Sequence, residues 1–442
     1  MIRFHLEQSG NELYTAHSGL ALVGRCLNAY TSLAARVSRV AGKSGSIAHA
    51  DVLRSYVGLL CQGKSDFEAI TGQRQDSYFA ASLGIETSVP SEATLRQRMN
   101  DHADAFRRVI DSCVAEMIRT SGAKVSALPS GHVPLDIDVF PMDNSNTKKE
   151  GVSWTYHNFC GFAPIASYLG LEGWCLEVEL RPGSQHSQKG FVPFLNRVIG
   201  KARQVTKKPL LVRLDSGHDA LETRVALRQH KKVSFIVKWN PRQEDLTALQ
   251  ALAFAEGRVS TPRDGKRVAL VTTTGQQVHE GKTYRFTRVL RVTERSIDKH
   301  GQYRLTPEVE VEGWWTNLHL PEEQVIGLYE GHGLMEQFHS EFKTDLDIER
   351  LPSGKFATNA LVMSLAVLAY NILRFIGQEG LLGAHSPVRH PAKRRRLKTV
   401  IQELITMAAR VVRKARRVIL RFGRHCPGFE AFQAVYARLL TA

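Results

Sequence analysis

Cysteine is sparse in this chain and never closely paired. The six cysteines, at positions 26, 61, 113, 160, 175 and 426, are scattered over 442 residues with no C-x2-C spacing. That excludes a zinc ribbon and a small disulfide scaffold, and reads as reduced thiols. The N-terminal Met-Ile-Arg-Phe-His-Leu-Glu-Gln contains no apolar core, so no signal segment is expected there. Long apolar runs are missing too. The longest apolar-rich stretch, Ala360 to Ile376, is interrupted by Asn371 and Arg374 and reads as a buried core helix, not a membrane span. There is no internal repeat and no low-complexity tract. Negative charge is the scarce sign: 43 Asp and Glu face 59 Lys and Arg, for a net +16 and a pI near 9.7. Such an excess points to a polyanionic partner, most simply nucleic acid, and calls for neither a membrane nor a small-molecule substrate.

What is present changes character along the chain. Residues 1–128 read as a helical, DNA-binding region. Leu53, Tyr56, Val57 and Leu60 form one stripe of a helix. Pro90-Ser91-Glu92 opens another helix with a Ser cap and an acid in its first turn. That second helix carries Arg96 and Arg98, which suit either a DNA-reading face or a solvated basic face.

Residues 129–244 alternate strand-like runs (132–140, 174–180, 209–215, 233–239) with helical stretches near 189–205 and 218–230. This is the pattern of an α/β unit with some parallel pairing. Residues 245–318 contain further strand-like runs joined by Gly- and charge-rich turns and read as an all-β insertion. Helix is expected again over 321–379, within a second part of the α/β unit at 319–384.

The last region, 385–442, is basic. Between Arg389 and Arg424 there are thirteen Lys or Arg and one acid, Glu403. Arg394, Arg395 and Arg396 form a cluster. Arg410, Arg413, Lys414, Arg416, Arg417 and Arg421 sit among apolar residues at a spacing that predicts an amphipathic basic helix suited to DNA phosphates.

Three acidic motifs carry the chemistry. In Pro134-Leu-Asp136-Ile-Asp138-Val-Phe140, both aspartates share one strand face. Two carboxylates on an apolar strand are costly unless a cation neutralises them. In Leu211-Val-Arg-Leu-Asp215-Ser-Gly-His218, the aspartate ends a strand, where α/β proteins present ligand-binding groups. The third acid is Glu336, within Tyr329-x2-His332-x3-Glu336-x6-Lys343. In one continuous helix these four residues share a face. Two Asp on neighbouring strands and a Glu on a helix can hold two Mg²⁺ ions about 3.5–4 Å apart, since Mg²⁺ prefers oxygen ligands.

Taken in order, these motifs resemble those of DDE-type transposases of bacterial insertion sequences, in the group marked by Tyr-x2-Arg-x3-Glu-x6-Lys. The resemblance covers about residues 50–425. It also takes in Lys148-Lys-Glu-Gly151 with Trp154-Thr-Tyr156, Glu179-Leu-Arg-Pro-Gly-Ser-Gln-His186 and Leu368-Ala-Tyr370-Asn371. It implies an RNase H-like catalytic core interrupted by the β insertion, with Asp138, Asp215 and Glu336 as metal ligands and Asp136 as an alternative to Asp138. It further implies two Mg²⁺ ions (replaceable by Mn²⁺), terminal inverted repeats and target DNA as partners, a homodimer on DNA, and a bacterial, nucleoid-associated setting.

Tyr329 and Lys343 would hold a phosphate at the element's end, with His332 standing where the family has Arg. Trp314 or Trp315 would stack on a base flipped during hairpin formation, unless they are core residues of the insertion. Two other readings keep the same chemistry or fold: a metal-dependent nuclease without strand transfer, and an inactive DNA-binding derivative. Replacing His332 by Arg is expected to preserve or raise activity. Severe loss in an excision assay, with folding intact, would remove the phosphate role.

Overall fold

The computed structural model describes residues 2–40, 45–242, 244–298, 300–333, 335–415 and 417–441. After a short strand β1 (Leu13–Thr15), apolar stripes fold the first region into helices α1 (Leu20–Tyr30), α2 (Leu33–Val40), α3 (His49–Leu60), α4 (Ser77–Leu83), α5 (Glu92–Asp101) and α6 (Ala103–Thr120). The expected stripe of α3 is buried, as is nearly all of that helix. Helix α5 starts as its sequence suggests: the Ser91 hydroxyl accepts from the Thr94 amide at 3.1 Å.

The next region builds the sheet. Strand β2 (Val133–Val139) alternates, with Leu135 and Ile137 in the main core and Asp136 and Asp138 on the opposite face. It is followed by a small three-stranded sheet of β3 (Met142–Asp143), β4 (Ser153–Trp154) and β5 (Cys160–Phe162), with β5 in the middle. Strands β6 (Ile165–Leu169) and β7 (Trp174–Glu179) then extend the main sheet, β6 antiparallel to β2 and β7 antiparallel to β6. Helix α7 (Phe191–Val205) leads to β8 (Leu210–Leu214), and helix α8 (Leu221–Gln229) to β9 (Val233–Lys238). Strands β2, β8 and β9 are mutually parallel neighbours, the arrangement that helical crossovers produce.

The segment expected to be all β opens instead with helix α9 (Leu246–Glu256). Asp245 caps it, accepting from Thr247 and Ala248 amides at 2.9 and 3.1 Å. Four strands follow: β10 (Arg258–Arg263), β11 (Lys266–His279), β12 (Lys282–Ile297) and β13 (Tyr303–Thr316). They form no separate sheet. Trp314, Trp315 and Thr316 pair with Lys238, Val237 and Ile236, so the chain has one nine-stranded mixed sheet, in the order β10-β11-β12-β13-β9-β8-β2-β6-β7. The fold is mixed α/β on a large mixed sheet.

Helix then returns as α10 (Glu322–Glu330), α11 (Met335–Ser340) and α12 (Phe356–Leu381). Helix α10 covers the acid-bearing face of the sheet, packing Val325 and Ile326 on Leu211, Ile236 and Trp314. Helix α12 is long and apolar enough to cross a membrane, but it is buried against α6, α3 and β7. After the short α13 (Leu397–Val400), the expected basic helix is absent. Its residues form a hairpin, β14 (Ala409–Lys414) and β15 (Arg417–Phe422), which pairs with β1, and helix α14 (Phe429–Leu440) closes the chain. Val411, Val412, Val418 and Ile419 are β-branched, and that preference outweighs the helical spacing of the arginines. Arg413, Lys414 and Arg417 lie exposed at the hairpin tip; Arg416 falls outside the described residues.

One buried contact ties α12 to the sheet. The Asn371 side chain accepts from the Cys175 amide at 3.0 Å and donates to the Cys175 carbonyl at 2.7 Å, occupying the free edge of β7. Replacing Asn371 by Leu leaves two buried backbone groups unpaired, at about 1–3 kcal/mol each. Urea unfolding is expected to show a loss of about 2–6 kcal/mol. A change below about 1 kcal/mol would mean that the edge is satisfied some other way.

Candidate active site

The parallel register of β2 and β8 sets Asp136 beside Arg213 and Ile137 beside Leu214. Asp138 and Asp215, one step further along each strand, therefore stand together at the strands' carboxyl ends. The two aspartates of β2 have different fates. Both Asp136 oxygens accept from Arg213, at 2.6 Å each, and both side chains are buried. The remaining Arg213 nitrogen donates to the Leu328 carbonyl of α10 at 2.8 Å. Asp136 is thus a bracing residue whose two oxygens are both engaged by a buried cation, which counts against it as the alternative to Asp138.

Among the described residues, the hydrogen-bond partner of Asp138 is its neighbour's amide, Val139 N–H, at 2.7 Å. Burial, then the Asp215 charge, and then that of Glu336, push its pKa up to about 7. Asp215 behaves oppositely. Burial opposes its ionisation, but the His218 hydrogen bond and charge outweigh this and hold its pKa below the usual range.

His218 joins the candidate site, although the sequence marked it only as part of the turn after Asp215. Its ring is fully buried against Phe191, 4.2 Å between centroids, and its Nδ1 lies 2.5 Å from Asp215 Oδ1. Its Nε2 has no partner among the described residues. With Asp215 ionised, Nδ1 is the donor in this contact. The one sequence signal was its place three residues after the aspartate, across a Ser-Gly turn.

The helix expected to carry Tyr329, His332, Glu336 and Lys343 on one face is broken. Helix α10 ends at Glu330, Gly331 and Gly333 lie in a turn, and Glu336 belongs to α11. Lys343 follows in a wide helical turn over Glu341–Asp345. Glycine's conformational cost explains the break better than the spacing explains a helix. Tyr329 remains near the acids: burial, then Asp215 and Asp138, raise its pKa. The His332 Nδ1 sits 2.7 Å from the Tyr329 carbonyl, and the two rings are 4.5 Å apart. Lys343 donates to the Pro141 carbonyl at 2.9 Å, just beyond β2, and pairs with Glu349 at 3.0 Å. Glu336 is exposed, and among the described residues no three His, Cys, Asp or Glu side chains converge closely enough to hold one ion. The donor set nonetheless fits a hard divalent cation: it is all oxygen, partly desolvated, and carries a carboxylate whose charge lacks a counterion.

The tryptophans offer no stacking face. Trp314 and Trp315 are 1% and 8% exposed. Lys238 lies 4.2 Å over Trp314, and Arg224 4.4 Å over Trp315. Trp315 Nε1 also donates to Asp219 at 3.3 Å. They are core residues because β13 pairs into the main sheet, where α10 covers Trp314 on one face and the main core takes Trp315 on the other.

The arginines are scattered. Arg96 pairs with Glu92 beside the Phe67 ring, and Arg98 is half-buried on the same helix. Arg394 and Arg395 line a cleft with Lys124, Gln337 and Arg374. Arg396 is held by Asp345 at 3.1 Å.

The family model described as "Transposase DDE domain group 1" matches residues 4–442. No curated protein matches the sequence. Among solved structures, the chain is similar to one described as the cryo-EM structure of the piggyBac transposase synaptic complex with hairpin DNA. The identity is 11%, the match covers 88% of this chain and 79% of that one, and the TM-score is 0.43.

The Asp138 shift has a stability consequence. Its folded pKa lies above the unfolded value of 3.8, so its contribution is present below about pH 4 and lost as pH rises through about 7. Without divalent ions, Asp138→Asn is expected to be more stable than the wild type at about pH 8, by about 1–3 kcal/mol, and no different at about pH 4. Thermal unfolding at both pH values checks this; equal stability at the higher pH would show that the charge is already compensated.

Proposed function

The chain belongs to the group 1 transposase DDE domain family, and on that premise we propose that it moves an insertion sequence by cut-and-paste transposition. It is a DNA transposase by family. The finer reading is cleavage at the ends of the element, a hairpin step, and joining of the freed 3′ ends to target DNA, by a homodimer gripping terminal inverted repeats in a bacterial nucleoid. Its main support is the pairing of Asp138 and Asp215 at the ends of adjacent parallel strands, with Asp138 driven toward neutrality by burial and by the charges of Asp215 and Glu336. The order β7-β6-β2-β8-β9, with β6 alone running against the other four strands, supports an RNase H-like core.

Asp138, Asp215 and Glu336 would hold the Mg²⁺ ions. When bound, such ions activate a water or a 3′-hydroxyl and stabilise the leaving oxygen of an in-line phosphoryl transfer. His218 keeps Asp215 ionised and aimed. Arg213 and Asp136 lock the two strands that carry the pair. Tyr329 presents its phenol to the same acids, and Lys343 stands at the end of β2 as a cation for a DNA phosphate. Exposed Arg413, Lys414 and Arg417, with Arg394 and Arg395, supply a basic surface for the DNA backbone, so binding should weaken as salt rises.

The test is excision from a supercoiled plasmid carrying the gene's own flanking DNA, in Mg²⁺. Wild type is expected to excise, whereas Asp138→Asn, Asp215→Asn and Glu336→Gln bind the ends without cutting. Cutting by Glu336→Gln at the wild-type rate would remove that glutamate from the ligand set. Nicking without joining to target would leave a nuclease. Asp136→Ala is expected to fail differently, by losing about 3–5 kcal/mol of stability through its stranded arginine. Wild-type stability of that variant would shift the first ligand back toward Asp136.

A further inference from the structure

The small sheet β1-β14-β15 has an edge that no described strand covers, the outer side of β15. Strand β15 alternates. Arg417, Ile419 and Arg421 fall on one face, and Val418, Leu420 and Phe422 on the other. The second set lines a groove of about 560 Å³ together with Phe429, Phe432 and Tyr436 of α14. Val418 is 57% exposed and Phe429 40%. An aromatic groove beside an unpaired strand edge suits an extended segment with apolar side chains at every second position.

The chain contains such a segment. Residues 2–7 read Ile-Arg-Phe-His-Leu-Glu, a strict alternation with one apolar face. They form no helix or strand, and Ile2, Phe4 and Leu6 are 81%, 86% and 94% exposed. Among the described residues, residues 2–8 form no hydrogen bond, ion pair or ring contact. Three large apolar side chains on one face, all in water, call for a cover. The segment also matches β15 in length, six residues against six.

The register of β1 bears on whose groove this arm meets. Leu13 faces Val411 and Thr15 faces Ala409, so running back from Leu13 the chain moves toward the tip of the β14–β15 hairpin. Continued, that register brings Gly10 level with Lys414, the last residue of β14. The Ser9 hydroxyl accepts from the Glu12 amide at 3.1 Å and holds the bend there. The arm thus departs at the tip, on the β1 edge, with β14 and β15 between it and its own groove. Reaching that groove within one chain would take a reversal and a crossing of both strands. A second copy requires neither, and the contact is then made twice, because each copy brings one arm and one groove.

We propose that two copies of this chain exchange arms, residues 2–8 of each adding a strand to the β15 edge of the other and seating Ile2, Phe4 and Leu6 in its aromatic groove. The exchange is a property of the protein alone and does not rest on the reading of the acid pair. It gives the homodimer of that reading a specific interface.

The test is sedimentation of the full chain without DNA or divalent ions. Wild type is expected to form a concentration-dependent dimer. Phe4→Asp removes the centre of the arm, and Val418→Asp charges the groove. Both residues are exposed, so neither change threatens the core, which circular dichroism checks. Each should raise the dimer dissociation constant about 100-fold or more, since a symmetric pair loses the contact twice. Mixing the two variants leaves one intact arm facing one intact groove, and a mixed dimer should form, weaker than the wild type. That rescue separates exchange from any other mode of pairing. Either variant dimerising as the wild type does, or a mixture that rescues nothing, would overturn the exchange. A wild-type monomer would overturn it too: slow tryptic cleavage after Arg3 would then put the arm on its own groove, and rapid cleavage would put it on neither. Excision is scored separately. Exchanging arms without excision would count against the transposase reading, and excision by a chain that exchanges nothing would count against the arms alone.

Discussion

The Asp136–Arg213 pair is the contact on which the rest of the site depends. It joins the two parallel strands whose ends carry Asp138 and Asp215, and through the Leu328 carbonyl it reaches α10. A buried ion pair is an expensive brace, because both charges leave water and geometry must compensate. Here the geometry is bidentate, and a third arginine nitrogen is also satisfied. One guanidinium thus fixes the spacing of two strands and the seat of the helix that presents Tyr329. The carboxylates at the strand ends can then repel each other without separating.

Around that brace, a basic protein holds an acid pair at the strand ends. The charges of Asp215 and Glu336 act on Asp138 there, while arginines elsewhere are drawn into structural pairs. Arg374 is buried with Glu341 and Tyr370, and Arg291 and Arg295 lie along β12 opposite Glu312 and Glu310. Much of the cationic excess is therefore already committed to holding elements together. Among the described residues, the exposed arginines and lysine of the β14–β15 hairpin and the cleft of Arg394 and Arg395 are a part that can meet a polyanion.

The sequence made the strands and their acids legible, because alternation and strand-end aspartates are local signals. It could not separate Asp136 from Asp138: the two are equivalent in period, and only the opposing Arg213 distinguishes them. Spacing alone overstated the helix of Glu336, since two glycines in three residues undo a pattern that a wheel would accept. The basic tail misled for the converse reason, its arginines keeping helical intervals while its valines and isoleucine preferred a hairpin. Trp314 and Trp315 were ambiguous because burial depends on which strand β13 joins, and that is a long-range fact. The same holds for His218, whose value lies in what surrounds it.

Both margins of the large sheet are closed by different means. At one, the side chain of Asn371 takes up the outward amide and carbonyl of Cys175. At the other, β10 is exposed throughout, reads Arg258-Val-Ser-Thr-Pro262-Arg263, and slips register between Ser260 and Arg263. Proline, charge and a bulge are what deter a foreign strand. Two copies of this chain consequently cannot merge by lengthening the sheet through these margins. Any pairing of two copies would have to use surfaces elsewhere on the molecule, since neither margin of the sheet invites a further strand.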